Sequence, residues 1–393
     1  MPIRVTELVP GGQGIGRIAD EKSPDYNKVA FLWNALPGEE VLEYEVVKRK
    51  SRYVEGIAAK LGNYSAHRVE PKDECFLSTS PWQIMDFEYE LKQKRLLVLE
   101  SFRQAKIDLG NLEIEPTRTD GTEWNYRNKM EYALYWDNSD GLIKPAFRGR
   151  GTHLKIPIKT SSLERREIFD KAQEIIADLN ARHEEARKYQ SLLLRSSQNG
   201  EVSGGLFVNH APHPVFPNLT DKILGKEYSY SPNGFFQINI PVYELALKEI
   251  AKDIKKDKVL DLYSGVGTIG LSIARDKDLT LVESNGSAYR ELEKNCEGLS
   301  VKPILSRSEE ALNYIETEQT VILDPPRSGC DRKLIEKLLE VAPKTIIYLS
   351  CNPSTQVRDV AMLTNRYEIE RVAPFNFFPK TPHIENLVVL GRK

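Results

Sequence analysis

Cys351 follows directly on the apolar run Thr345-Ile346-Ile347-Tyr348-Leu349-Ser350 and directly precedes Asn352-Pro353. That order puts a thiol at the carboxyl end of a sheet strand, where doubly wound enzymes present reacting groups. A thiolate there can add to an electrophilic carbon and form a covalent intermediate. The other cysteines, Cys75, Cys296 and Cys330, are far apart and show no CxxC or Cys/His spacing. They read as small buried hydrophobes and not as a disulfide framework or a zinc site. Two carboxylates also end apolar runs. Glu283 closes Leu281-Val282-Glu283, a position suited to accepting hydrogen bonds from ribose hydroxyls. Asp324 closes Val321-Ile322-Leu323-Asp324, and Pro325-Pro326 after it fix an extended backbone that holds the carboxylate at the sheet edge. Upstream, Ser231-Pro232-Asn233-Gly234-Phe235-Phe236-Gln237-Ile238-Asn239 joins adjacent aromatics to two amides, groups that stack on a base and read its polar edge.

Positioning these groups requires a sheet with exposed strand ends. After residue 230 apolar strands alternate with amphipathic helices, the strands falling at 258–262, 279–283, 320–324, 345–350 and 387–391. Such alternation predicts an α/β, doubly wound, mostly parallel sheet. Between the first strand and its helix lies Asp261-Leu262-Tyr263-Ser264-Gly265-Val266-Gly267-Thr268-Ile269-Gly270, whose glycines let the backbone approach a ligand. Residues 1–60 read as short strands with turns at Pro10-Gly11-Gly12 and Pro37-Gly38, the pattern of a small β-barrel. Residues 61–225 read as a mixed α/β central domain with an amphipathic helix over 84–107, and residues 226–393 as the catalytic domain. Basic groups cluster in Lys48-Arg49-Lys50-Ser51-Arg52-Tyr53, Tyr126-Arg127-Asn128-Lys129 and Arg148-Gly149-Arg150-Gly151, where they could meet phosphates or simply solvate the surface.

At 393 residues, 40% hydrophobic and 28% charged, the chain has the composition of a folded, multi-domain protein. Lys plus Arg (55) nearly balances Asp plus Glu (57), which excludes a globally basic chain but leaves room for a local basic face. No stretch approaches the roughly 20 apolar residues of a membrane span. The opening Met1-Pro2-Ile3-Arg4-Val5-Thr6 carries no hydrophobic signal core, so a cytoplasmic protein is expected.

The order Phe-x-Gln-x-Asn, Asp-Pro-Pro-Arg, Ser-Cys-Asn-Pro and His-x-Glu resembles the RNA uracil-5-methyltransferase family. Residues 1–60 are similar to that family's TRAM RNA-binding barrel, and Tyr126-Arg127-Asn128-Lys129 to a segment of its middle domain. The resemblance implies a Rossmann-like class I methyltransferase domain that takes S-adenosylmethionine and methylates carbon 5 of a uridine. It further implies that Gln237, Tyr263, Glu283 and Asp324 bind the cofactor, that Phe235 and Asn239 shape the base pocket, and that Cys351 is the nucleophile with Glu385 as the base. Many members of the family carry an iron-sulfur cluster. Here Ser80 stands where the last cysteine of the Cys-Gly-Gly-Cys segment belongs, and Ser161 and Ser162 lie where the distant ligand is expected, so neither a cluster nor another metal is expected. The implied partner is structured RNA, 23S ribosomal RNA first and the T-loop uridine of transfer RNA as the alternative. A monomer is expected. Two rivals stay open at this point: a methyltransferase of the same fold with another substrate, and a non-catalytic RNA-binding protein.

Overall fold

The computed structural model describes residues 1–213 and 216–393. Its centre is a seven-stranded sheet with strands Lys302–Leu305, Asp278–Glu283, Lys258–Leu262, Thr320–Leu323, Thr345–Ser350, Glu385–Arg392 and Tyr367–Phe375 in that spatial order. The first five are parallel, and the last two join antiparallel. The chain winds outward from Lys258–Leu262 in both directions, and the strand order reverses beside it. The carboxyl ends on either side of that reversal form the crevice in which such folds bind ligands.

Alternation along each strand sends side chains to two cores. Leu260, Leu262, Val321, Leu323, Ile346 and Tyr348 pack beneath helices Phe87–Gln104, Arg332–Val341 and Pro353–Leu363. Val259, Ile322, Ile347 and Leu349 pack on the other face beneath helices Ile240–Lys252, Thr268–Ile273 and Gly286–Cys296. Both faces are covered, which is why these strands read as near-continuous apolar runs.

Two boundaries differ from the sequence reading. Helix Phe87–Gln104, expected in the central domain, buries Leu97, Val98 and Phe102 against the catalytic sheet. The hairpin Leu219–Ile223 and Lys226–Tyr230 buries Leu219, Ile223, Tyr228 and Tyr230 in the catalytic core, so the expected division at 225/226 falls in its turn. What remains of the central domain is a six-stranded antiparallel sheet, centred on Lys129–Asp137 and Ser191–Ser196, under helix Arg166–Ala181. At the amino-terminal end a six-stranded sheet curls around Ile3, Val5, Leu32, Val41 and Val54. The curl brings Gly16 so close that a Cβ there would lie 2.6 Å from the Arg4 carbonyl oxygen. No helix among the described residues is long and apolar enough to cross a membrane.

Candidate active site

A cleft of about 1650 Å³ opens over the strand ends at the reversal point. Typical small-molecule sites occupy roughly 300–1,000 Å³. The cleft therefore has room for a cofactor-sized molecule and a nucleotide together.

Its floor is the glycine turn. Tyr263, Gly265 and Gly267 all take left-handed backbone (φ 64°, 58° and 89°), the last as N-cap of helix Thr268–Ile273. A Cβ on Gly267 would meet Leu271 and Leu292 at 2.7 Å, so the turn can pass only as glycine. Asp261, fully buried, accepts the Gly270 N–H at 2.8 Å through Oδ2 and pins the helix to the strand, while its Oδ1 has no partner. Glu283 accepts Gly265 N–H at 2.8 Å and Asn285 N–H at 2.5 Å, which aims its carboxylate over the turn. Burial pushes Asp261 and Asp324 up to about 7 each; Asp324 and Glu283 add to the shift at Asp261. Of Asp261 and Asp324 only Asp324 lines the cleft, where its desolvated carboxylate is complementary to a cationic ligand, because a positive charge favours its ionised form.

Cys351, half-buried, also lines the cleft, as do Arg327, His383 and Glu385. Burial first, then the Glu385 and Asp324 carboxylates, push the Cys351 thiol up to about 11, against the opposing pull of Arg327. Glu385, the first residue of its strand, is held well above the usual carboxylate range by burial and by Asp324. Arg327 donates to Nδ1 of His383 at 3.2 Å, and its carbonyl accepts the Asn352 side-chain amide at 3.0 Å. The Asp-Pro-Pro-Arg loop is thereby tied to the residue after the thiol.

Of the residues singled out from sequence, Gln237, Tyr263, Glu283, Asp324, Phe235, Cys351 and Glu385 converge on this one cleft. Phe235 stands at its mouth with 77% of its surface exposed. Asn239 does not line it. Asn239 caps helix Ile240–Lys252 through its Oδ1 and donates Nδ2 to the Phe377 carbonyl at 3.2 Å, so its amide holds the loop ahead of Glu385. Two residues escaped the sequence reading. Ser308 lies against the Tyr263 hydroxyl, and Arg195 is a cation buried on an apolar strand, the one local signal that could have drawn notice.

The basic stretches are less free than their sequence suggests. Arg49 pairs at 2.9 Å with Asp25, and Lys48 with Glu55 at 3.3 Å. Arg150 stacks over Trp33 at 4.0 Å and donates to the Leu77 carbonyl, joining the central domain to the amino-terminal sheet. Where the family resemblance implies cluster ligands, Ser80 accepts from Gln83 Nε2 at 2.7 Å, the same amide donates to Asp73 at 2.8 Å, and Ser162 Oγ donates to Asp73 at 2.8 Å. Cys75 is buried beside this network with its thiol pushed up to about 11 by desolvation. Among the described residues no group of three or more His, Cys, Asp or Glu side chains could hold a metal ion.

A family model described as tRNA (Uracil-5-)-methyltransferase matches residues 307–393, the part that carries Asp324, Cys351 and Glu385. An uncharacterized RNA methyltransferase of Bacillus cereus is 29% identical, covering 100% of this chain and 96% of its own length. One of Listeria innocua is 28% identical, over 100% and 97%. Among solved structures, the Pyrococcus abyssi tRNA (uracil-54, C5)-methyltransferase in complex with S-adenosyl-L-homocysteine shares the fold. It superposes with a TM-score of 0.74 at 23% identity, over 99% of this chain and 100% of that one.

Proposed function

We infer that this chain belongs to the RNA uracil-5-methyltransferase family and methylates carbon 5 of a uridine in structured RNA, with S-adenosylmethionine as donor and a covalent adduct between Cys351 and carbon 6. The observation that carries the reading is the convergence of the Cys351 thiol, Glu385, Asp324 and Arg327 on the same cleft as the glycine turn and Glu283. The residues present suit the donor. Glu283 offers its carboxylate to ribose hydroxyls, Gln237 and Tyr263 line the same wall, and the carboxylates of Glu283 and Asp324 favour a cation. When bound, S-adenosylmethionine supplies a methyl group on a positively charged sulfur.

Carbon 5 of uracil is a poor nucleophile, and addition of the Cys351 thiolate to carbon 6 turns it into an enolate-like carbanion. After methylation carbon 5 still carries its proton. Glu385, whose affinity for protons is raised by burial, is the base that removes it, and the electron pair then expels Cys351 and restores the ring. The carbon 5–carbon 6 edge is inaccessible within a stacked helix, so the uridine enters flipped out or from a loop. Phe235, exposed at the mouth, offers a stacking face for it or for its neighbour.

For the RNA class we propose 23S ribosomal RNA, on the strength of the barrel-like amino-terminal sheet. A transfer-RNA T-loop is the second reading, favoured by the description of the matching family model. A cytoplasmic monomer completes the proposal. The test is to map 5-methyluridine in both RNAs after deletion of the gene and to restore the missing mark with purified protein and S-adenosylmethionine. Loss of one mark and its restoration supports the reading; no change in either RNA contradicts it.

A further inference from the structure

The loop that carries Gln237 makes almost none of its own support. Its backbone carbonyls instead accept hydrogen bonds from the central domain. Lys129 Nζ donates to the carbonyls of Asn233 at 3.3 Å and Gly234 at 3.2 Å. Arg195 donates through Nη1 to Gly234 at 3.3 Å and through Nη2 to Phe236 at 2.6 Å. Asn128 donates its side-chain amide to Gln237 at 3.0 Å and its backbone N–H to Ile238 at 3.2 Å. Between residues 233 and 238 only the carbonyl of Phe235, the exposed aromatic, is left out of this ladder.

The donors are costly ones. Arg195 is 1% exposed, and its guanidinium lies 5.3 Å from the Tyr230 ring centre and 5.8 Å from that of Phe236. Among the described residues neither Arg195 nor Lys129 pairs with a carboxylate within 4.0 Å, and Arg195 Nε has no hydrogen-bond partner. A desolvated cation given carbonyls and ring faces but no carboxylate opposes folding unless those carbonyls must be held in place. A second observation agrees. The segment that bears the donors is itself fixed, with Arg127 N–H on the Leu163 carbonyl at 3.0 Å and the Tyr126 hydroxyl on the Pro379 carbonyl at 3.0 Å.

We propose that Asn128, Lys129 and Arg195 are positioning residues that clamp the 233–238 loop, so that Gln237 is presented to the donor and cofactor affinity depends on the central domain. The proposal rests on the reading of the cleft as a site for S-adenosylmethionine. Lys129 gives it a titratable handle. Burial, then Arg195 and Arg127, lower its ammonium to about 8, with Glu131 opposing and the carbonyls of Asn233 and Gly234 completing its surroundings. Its charge-assisted hydrogen bonds are full below that value and weaken as the pH rises through it.

The experiment measures S-adenosylhomocysteine binding by calorimetry on the full chain for wild type, Lys129→Met, Lys129→Arg and Asn128→Ala, with melting temperatures alongside. Loss of a charge-assisted contact is expected to weaken binding roughly tenfold in Lys129→Met, at an unchanged melting temperature. Lys129→Arg restores it, and Asn128→Ala repeats the loss. Between pH 7 and 9.5 wild type loses affinity relative to Lys129→Arg, a comparison that cancels titration of the ligand's own amine. Should Lys129→Met fold poorly, the pH comparison between wild type and Lys129→Arg decides alone. Equal affinity in Lys129→Met and wild type, or parallel pH profiles for wild type and Lys129→Arg, overturns the clamp. Absence of binding by wild type overturns the functional reading instead.

Discussion

Cys351 should alkylate slowly in the free protein, and the size of the effect follows from its surroundings. Burial and the neighbouring carboxylates raise the thiol from an ordinary 9.0 to about 11. Two units lower the thiolate fraction at pH 7 about a hundredfold. A more basic thiolate is intrinsically more nucleophilic, with a Brønsted slope near 0.45, which returns close to a factor of eight. The net expectation is iodoacetamide alkylation slower than a free thiol by roughly ten- to twentyfold at pH 7. Mass spectrometry of the Cys351 peptide over pH 7–11 reads it directly. The rate should climb about tenfold per pH unit to near pH 10, since a group with a raised value stays protonated until the pH passes that value. Arg327→Gln removes a cation that stabilises the thiolate and should slow the reaction further. A plateau below pH 9, or faster alkylation in Arg327→Gln, would refute the reasoning.

Three other outcomes follow. Glu385→Gln should leave addition to carbon 6 intact but block proton removal, so turnover falls by about 10²-fold or more while protein–RNA adduct accumulates on denaturing gels. Gly270→Ala places a Cβ 2.8 Å from Asp261 Oδ2 and 3.1 Å from Leu281, and should cost roughly 1–3 kcal/mol in a denaturant titration. Lys94→Met is the more damaging change. Lys94 and Glu90, both fully buried, pair at 3.2 Å, and Lys94 also donates to Asn376 at 2.5 Å and to the Phe378 carbonyl at 3.0 Å. Removing the ammonium leaves the buried Glu90 carboxylate with the Asn376 amide, the Lys380 N–H and the Lys380 ammonium at 3.8 Å, and should cost about 3–5 kcal/mol, read as a fall in melting temperature.

Much of the catalytic sheet was legible because its strands are buried on both faces and so stand out as apolar runs. Its two edges were not. Lys302–Leu305 is short and contains Pro303, and Tyr367–Phe375 alternates Glu368, Glu370 and Arg371 with apolar residues. A strand that is half exposed leaves a weaker mark than one that is covered. Helix Phe87–Gln104 was visible as an amphipathic period, but periodicity says that a face is apolar and not which sheet covers it. At the site, Cys351, Glu283 and Asp324 were legible because each closes an apolar strand. Asn239 kept its residue type and lost its expected place, since a cap and a binding group look alike in sequence. The hydrogen bonds from Arg195 and Lys129 to the 233–238 loop stayed hidden, because backbone carbonyls as partners leave no trace in residue identity.

The central claim is that Cys351 attacks the uridine ring. The most direct measurement is incubation of the purified protein with S-adenosylmethionine and 5-fluorouridine-substituted RNA, in which fluorine replaces the proton that Glu385 would remove. A complex stable to denaturation, mapped by peptide mass to Cys351 and lost in Cys351→Ala, is the expected result. An adduct that survives Cys351→Ala, or methyl transfer to unsubstituted RNA by Cys351→Ala at the wild-type rate, would contradict it.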